Sequence, residues 1–273
     1  MSTLMHKTIF ITGSSRGIGR EIALKCAKDG AHVVITGKSE KENSVLPGTI
    51  YSVAQEVEQA GGTALAIPLD VRDEHQIENA ISKTVEKFGG IDILVNNASA
   101  ISLTNTLDTT LKKFDLMISV NARATFACSR ACIPYLKKSH NPHILNLSPP
   151  LHMESKWFKN HLAYTYSKYG MSLCTLGMSA EFKNDGIAIN SLWPKTTIAT
   201  AAIKVHFPPE LYAASRNPLI VANAAYWILT QNSKKFTGQF FTDEEVLTKA
   251  GEIDFNKYNT TVGVPAMKDL FLD

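Results

Sequence analysis

The strongest constraint on this 273-residue chain is an alternation of two periods. Short β-rich apolar runs stand at 8–12, 32–36, 64–69, 91–95, 143–147, 187–192 and 239–242. Stretches with helical spacing lie between them, at 18–28, 50–59, 74–88, 109–137, 161–182 and 220–229. Parallel strands need long crossover connections, and helices supply them. The pattern therefore predicts an α/β protein: one doubly wound parallel sheet of about seven strands, with helices on both faces. The length suits a single domain over 1–273. Residues 38–48 are polar with Pro and Gly and are expected to form a loop. From 243 on the rhythm is lost, so 243–273 is expected to be an irregular C-terminal tail packed on the body or on a neighbouring subunit.

Composition excludes several classes. The net charge of +3 is too mild for the basic stripe of a nucleic-acid binder. No run of 18 apolar residues is present, so no membrane span is expected. The first strand begins within about seven residues, leaving no room for a signal peptide. The last three residues are not a peroxisomal address. A cytoplasmic protein is expected. Cys26, Cys128, Cys132 and Cys174 form no C-x-x-C motif, and the i,i+4 pair Cys128 and Cys132 reads as core packing. His140 and His143 only flank a loop, so no metal site is expected.

The chemistry begins after the first strand. Gly13-Ser14-Ser15-Arg16-Gly17-Ile18-Gly19 joins it to the first helix. Glycines there permit a tight turn and close approach to a pyrophosphate, which the helix N-terminus attracts. Its spacing is G-x-x-x-G-x-G, and its place is where a Rossmann-type sheet binds dinucleotides. The second strand is followed by Lys38, with no acid to hold a ribose 2′-hydroxyl. Lys38 and Arg16 suit a 2′-phosphate, so NADP is favoured, with NAD the alternative. Further on, Tyr164 and Lys168 are i,i+4 on one helix face. A nearby ammonium is expected to lower the phenol's pKa and make it a proton donor and acceptor.

Four more patterns align in order: Asp70-Val71, Asn96-Asn97-Ala98, Ser119-Val120-Asn121 and Tyr164-x-x-x-Lys168. With the glycine loop they resemble the short-chain dehydrogenase/reductase family over about residues 7–242. The stretches FGGIDILVNNASAISLTNTLD, ACIPYLKK, LNLSPP and WPKT resemble its hydroxysteroid dehydrogenase-like members more closely still. Some of those carry an added sterol-carrier domain, and none is expected within this chain. The resemblance implies an oxidoreductase that interconverts an alcohol and a carbonyl. By position it implies that Gly13 to Gly19 cradle the pyrophosphate and that Lys38 sits near the adenosine ribose. Asp70 would bond the adenine amino group beside Val71, and Asn97 would support the pocket. Asn121 would hold a relay water. Lys168 would bond the nicotinamide ribose, and Tyr164 would exchange the proton. It further implies a homodimer or homotetramer built through the 109–137 and 161–182 helices.

One position departs from the family. The usual serine pair after the fifth strand reads Ser148-Pro149, and proline has no hydroxyl. Ser148 is the nearest substitute for the carbonyl-orienting serine, with Ser155 a weaker one. Ser99 and Lys195 stand where the family has glycine. Trp157 and Phe158, and later Ile198, Ile203, Val205 and Phe207, are expected over the nicotinamide, which suggests an apolar substrate. Subunit contact is the other reading of those side chains. Pro149 also supports an alternative: a nucleotide-binding regulatory or scaffold protein that kept the fold and lost the reaction.

Overall fold

The computed structural model describes residues 3–43 and 46–273, and of His206 only the backbone. The loop expected over 38–48 thus includes two residues, 44 and 45, outside the described residues.

Strand and helix alternate along the chain as β1 (Thr8–Ile11), α1 (Gly17–Ala27), β2 (His32–Gly37), α2 (Ile50–Gln59), β3 (Thr63–Pro68), α3 (Glu74–Phe88) and β4 (Ile93–Asn96). Then follow α4 (Leu111–Met117), a π turn (Ile118–Arg123), α5 (Ala124–Leu136), β5 (His143–Asn146), α6 (Leu162–Glu181) and β6 (Ala188–Trp193). The chain closes with α7 (Ala201–His206), α8 (Pro209–Ala213), α9 (Leu219–Leu229), β7 (Phe240–Thr242) and α10 (Asp243–Lys249). The seven strands form one parallel sheet in the order β3-β2-β1-β4-β5-β6-β7.

β1 and β4 are buried from end to end, and β2 in all but its first residue, which is why their sequences read as near-continuous apolar runs. One core packs α1, α2 and α9 on one face through Ile9, Ile22, Val33 and Ile228. A second packs α3 and α5 on the other through Phe10, Leu94, Ile77 and Cys132. Cys26, Cys128 and Cys132 are fully buried in these cores, and burial pushes the Cys26 and Cys128 thiols up to about 12. His143 is also a core residue, pushed down to about 4 by burial. β1 lies between β2 and β4, so the chain winds outward in both directions from it. The crevice at the carboxyl ends of β1 and β4 is the topological switch point, where such sheets bind ligands.

Two expectations change. The helix expected over 109–137 is broken by the π turn at Ile118–Arg123, a form often found at functional sites. The stretch from 243 opens with a helix, α10, rather than an irregular tail. Thr242 and Glu245 form a capping box there, each side chain accepting from the other's backbone N–H.

Candidate active site

After β1 the chain turns sharply into α1. Gly13 has φ +65° and Gly17 +58°, the left-handed region that glycine tolerates. A Cβ on Gly13 would lie 2.9 Å from the Ala98 Cα, and one on Gly19 would lie 2.5 Å from the Asn97 Nδ2. The loop is therefore pressed against the residues that follow β4. Asn97 Nδ2 donates to the carbonyls of Thr12 at 3.0 Å and Gly13 at 2.8 Å. The backbone N–H groups of Asn97 and Ala98 donate to Thr12 Oγ1. Arg16, at the α1 N-cap, makes no capping bond. The first-turn N–H groups and the positive end of the helix dipole thus face an open cleft, a setting that fits a pyrophosphate.

A cavity of about 400 Å³ lies there. Of the residues expected to bind cofactor, Gly13, Ser15, Arg16, Gly17, Ile18, Lys38, Asp70, Val71 and Asn97 line it. Ser14 and Gly19 do not. Ser14 is fully buried, and its hydroxyl donates to the Ile11 carbonyl and accepts from the Thr36 N–H. Gly19 instead allows the close approach of Asn97. Arg16 donates to the carbonyls of Leu46, Pro47 and Gly48 and to Ser39 Oγ, and so pins the loop before α2. Lys38 Nζ lies 3.8 Å from Asp70 Oδ2 and its side chain is 64% exposed. Hydrogen bonds from Arg72 hold the Asp70 carboxyl at about 2.

A second cavity, of about 380 Å³, shares Ile18, Asn97, Ser99 and Thr200 with the first, so the two form one cleft. Tyr164 and Lys168 of α6 stand in its wall, at 5% and 2% exposure. Lys168 Nζ donates to the Leu147 carbonyl at 2.6 Å and sits 5.1 Å from the Trp193 ring. Burial pulls the ammonium down to about 7, opposed by the Asp269 carboxylate. Burial also pushes the Tyr164 phenol up, and Asp269 adds to that. This corrects the expectation of a phenol lowered by its lysine: Lys168 is turned onto the Leu147 carbonyl, just past β5, and desolvation dominates.

Ile198, Ile203 and Phe207 line the second cavity, as expected. Trp157 and Phe158 do not. They pack behind α6, with Phe158 edge-on to Tyr169 at 5.3 Å. Val205 is outside the cavity and 39% exposed. The Lys195 side chain lines a separate cleft with Thr242 and Lys249.

Asn121 and Ser148 line neither cavity. Asn121 sits in the π turn, fully buried. Its amide accepts from the Ala100 N–H and donates to the Ala100 carbonyl and to Ser167 Oγ. It ties the loop after β4 to α6. The Ser148 hydroxyl shares a 2.8 Å hydrogen bond with Ser191 Oγ, which pairs in turn with Thr175. It is fully buried, and with its hydroxyl engaged by Ser191 it lines neither cavity. Ser155 is exposed on a 3₁₀ turn, also away from the cavity. Ser148→Ala is expected to lower stability by about 1–3 kcal/mol, because Ser191 loses a buried partner. It should leave kcat/KM within about threefold; a drop beyond tenfold would return Ser148 to the site.

The C-terminal segment packs on the body and also enters the wall of the site, which no motif in the sequence marked. The Thr197 N–H donates to the Met267 carbonyl, the Asp269 N–H to the Lys195 carbonyl, and Trp193 Nε1 to the Leu270 carbonyl. These bonds lay residues 267–271 along the chain that follows β6. Phe271 is fully buried, with its ring centroid 6.2 Å from that of Tyr164 and 5.7 Å from that of Trp193. Met267, Asp269 and Leu270 line the second cavity.

A dinucleotide-sized cleft over a glycine-rich turn, with a buried Tyr-Lys pair in its wall, defines a class of protein. The short chain dehydrogenase family pattern matches residues 7–208, and the chain belongs to that family. It is 57% identical over 97% of its length to hydroxysteroid dehydrogenase-like protein 2 of Xenopus laevis, and spans 63% of that relative. A solved structure from Xanthomonas campestris is 52% identical, with a TM-score of 0.96 and 99% of each chain covered. More distant structures share the fold: a short chain dehydrogenase from Mycobacterium paratuberculosis bound to NAD (22% identical, TM-score 0.74, 88% of this chain and 97% of that one) and a metagenomic short-chain oxidoreductase with NADP (24%, 0.73, 88% and 98%).

Proposed function

We propose that the protein is an NADP(H)-preferring oxidoreductase that interconverts an apolar alcohol and its carbonyl. The observation that carries this reading is the single cleft that runs from the glycine loop to Tyr164 and Lys168. A bound nicotinamide dinucleotide would supply or accept the hydride. Gly13, Ser15, Gly17 and Ile18 hold its pyrophosphate on backbone N–H groups, while Asp70, Val71 and Asn97 line its adenosine and central portions. Tyr164 gives or takes the proton on the substrate oxygen. Lys168 holds a charge beside it, and Asn121 sets the position of α6 against the loop after β4. Apolar walls from Ile101, Leu103, Ile203 and Phe207 exclude water and favour an apolar aldehyde, ketone or alcohol. Exposed Phe126 of α5 and Leu173 and Leu176 of α6 support a homodimer or homotetramer through those helices. Among the described residues no helix is long and apolar enough to cross a membrane.

Absorbance at 340 nm, with a panel of apolar aldehydes, ketones and alcohols, tests the reaction. Absence of turnover with either cofactor, together with retained dinucleotide binding, would favour the regulatory or scaffold reading that Pro149 supports.

Cofactor preference follows from the cationic end of the first cavity. Lys38 and Arg16 flank Ser39 there, and Asp70, the one acid among the described lining residues, is engaged by Arg72. Lys38→Ala is expected to raise the Kd for NADPH about tenfold, the scale of one charge-assisted hydrogen bond, and to leave NADH binding within about twofold. A titration in which both cofactors weaken alike would remove the 2′-phosphate role of Lys38.

A further inference from the structure

The position of the family's usual carbonyl-orienting serine is Pro149, which has no hydroxyl, and Ser148 beside it lines neither cavity. We propose that Asp269, carried in by the C-terminal segment, is the specificity-determining side chain that hydrogen-bonds the substrate oxygen opposite Tyr164. The proposal rests on the oxidoreductase reading and deepens it.

Three observations support Asp269. First, it stands in the wall of the same cavity as Tyr164 and Lys168, and it interacts electrostatically with both. Second, its carboxyl has capacity to spare. Oδ1 accepts from the Leu270 N–H at 2.7 Å, and no protein hydrogen bond to Oδ2 is made among the described residues. Third, its backbone is fixed. The Asp269 N–H donates to the Lys195 carbonyl, and the neighbouring Thr196 and Lys268 form an antiparallel bridge. A polar group in an otherwise apolar cavity is what fixes the orientation of a ligand.

The chemistry needs a group able to donate to a carbonyl. A carboxylic acid in an apolar setting can remain protonated and do so. Burial pushes Asp269 up to about 6, with the Leu270 N–H and Lys168 opposing. The charged or titratable groups facing it are Tyr164 and Lys168 from α6 and Lys268 beside it on its own segment. The loop after β4 and α7 present Ile101, Leu103, Ile203 and Phe207. Below its titration Asp269 donates to the carbonyl; above it, the carboxylate accepts from an alcohol hydroxyl. During reduction the carbon–oxygen π bond takes hydride at carbon and the Tyr164 proton at oxygen, and Asp269 keeps its own proton throughout. The donating fraction falls as pH rises through about 6, so reduction should weaken over that interval.

The test uses Asp269→Ala, and Asp269→Asn, whose amide donates at every pH. Nonanamide, an unreactive carbonyl probe, is titrated against intrinsic tryptophan fluorescence at pH 5, since Trp193 lines the cavity. Asp269→Ala should weaken its binding about tenfold, as expected for a lost buried hydrogen bond, while Asp269→Asn stays within about threefold of the parent. With nonanal and NADPH, Asp269→Ala should lose about tenfold in kcat/KM with the NADPH Kd unchanged. Asp269→Asn should remove the step in reduction centred near pH 6, leaving only the fall that Lys168 imposes as pH rises toward about 7. Asp269→Leu, close in shape, replaces Asp269→Ala if the latter does not fold. Equal nonanamide binding by parent and Asp269→Ala, or no binding by the parent, overturns the role of Asp269. If the parent reduces nothing while nonanamide binding still depends on Asp269, the oxidoreductase reading fails and the assignment of Asp269 as the oxygen-binding group stands.

Discussion

Tyr164→Phe should fold, bind the dinucleotide with an unchanged Kd and lose roughly 10²–10⁴-fold in kcat/KM, the range for removal of a positioned acid or base. The substitution isolates the chemistry because the ring does the packing. Tyr164 is buried, and its ring lies at 29° to that of Phe271. Its hydroxyl makes no protein hydrogen bond among the described residues, so its loss leaves no buried partner unsatisfied. Thermal stability should therefore stay close to that of the parent. The direction of the effect also follows from the environment. A phenol pushed up by burial stays neutral and keeps its proton until charge develops on the carbonyl oxygen that it faces. Lys168, pulled down to about 7, supplies its positive charge best below that pH. Stopped-flow NADPH binding, a 340 nm assay and a melting curve on one preparation decide the matter. Turnover within about tenfold of the parent would reject Tyr164 as the proton donor.

Much of this was legible in the sequence because it is local. The alternation of periods predicted the sheet, and α1 to α6 and α9 to within a few residues, but not the short helices α7, α8 and α10. Gly13 and Gly17 were readable because a tight turn before a helix requires left-handed backbone. The broken serine pair, Ser148-Pro149, was readable once the family resemblance supplied the usual pattern. What could not be read depends on where a side chain turns after the chain has packed. Ser148 stands next to Leu147, whose carbonyl holds Lys168, yet its hydroxyl points to Ser191 on β6. No period or spacing encodes that. The π turn in 109–137 was hidden for a similar reason: helical spacing runs through it, and its cause is the tertiary engagement of Asn121 with Ala100 and Ser167. The cap of α10 was readable in principle from Thr242 and Glu245 at capping-box spacing. Asp269 left only a weak signal, a lone acid before the apolar Leu270-Phe271-Leu272, and its contacts lie far away in sequence.

The C-terminal segment yields the second large effect. Phe271→Ala should lower the stability of that segment's docking by about 3–5 kcal/mol, the usual cost of truncating a fully buried phenylalanine. The ring fills a space walled by Trp157, His161, Tyr164, Tyr169 and Trp193, all with centroids between 5.5 and 6.2 Å away. It also sits at φ +69°, a backbone region that a bulky residue occupies only where packing enforces it. Truncation removes that packing and leaves the strain. The segment touches the body through few backbone bonds, so the loss should appear as local opening before global unfolding. Hydrogen exchange reads it directly. The amides of Thr197 and Asp269, which bond across the segment's edge, should lose protection by roughly 10²–10⁴-fold, the equivalent of that free energy, while amides in β1 and β4 keep theirs. Activity should fall with it, because Asp269 leaves the cavity and water reaches Tyr164, whereas dinucleotide binding at the glycine loop is untouched. Unchanged exchange at Thr197 would mean that the segment is held by its backbone bridges alone, and that Phe271 is a filler rather than the anchor of this wall of the site.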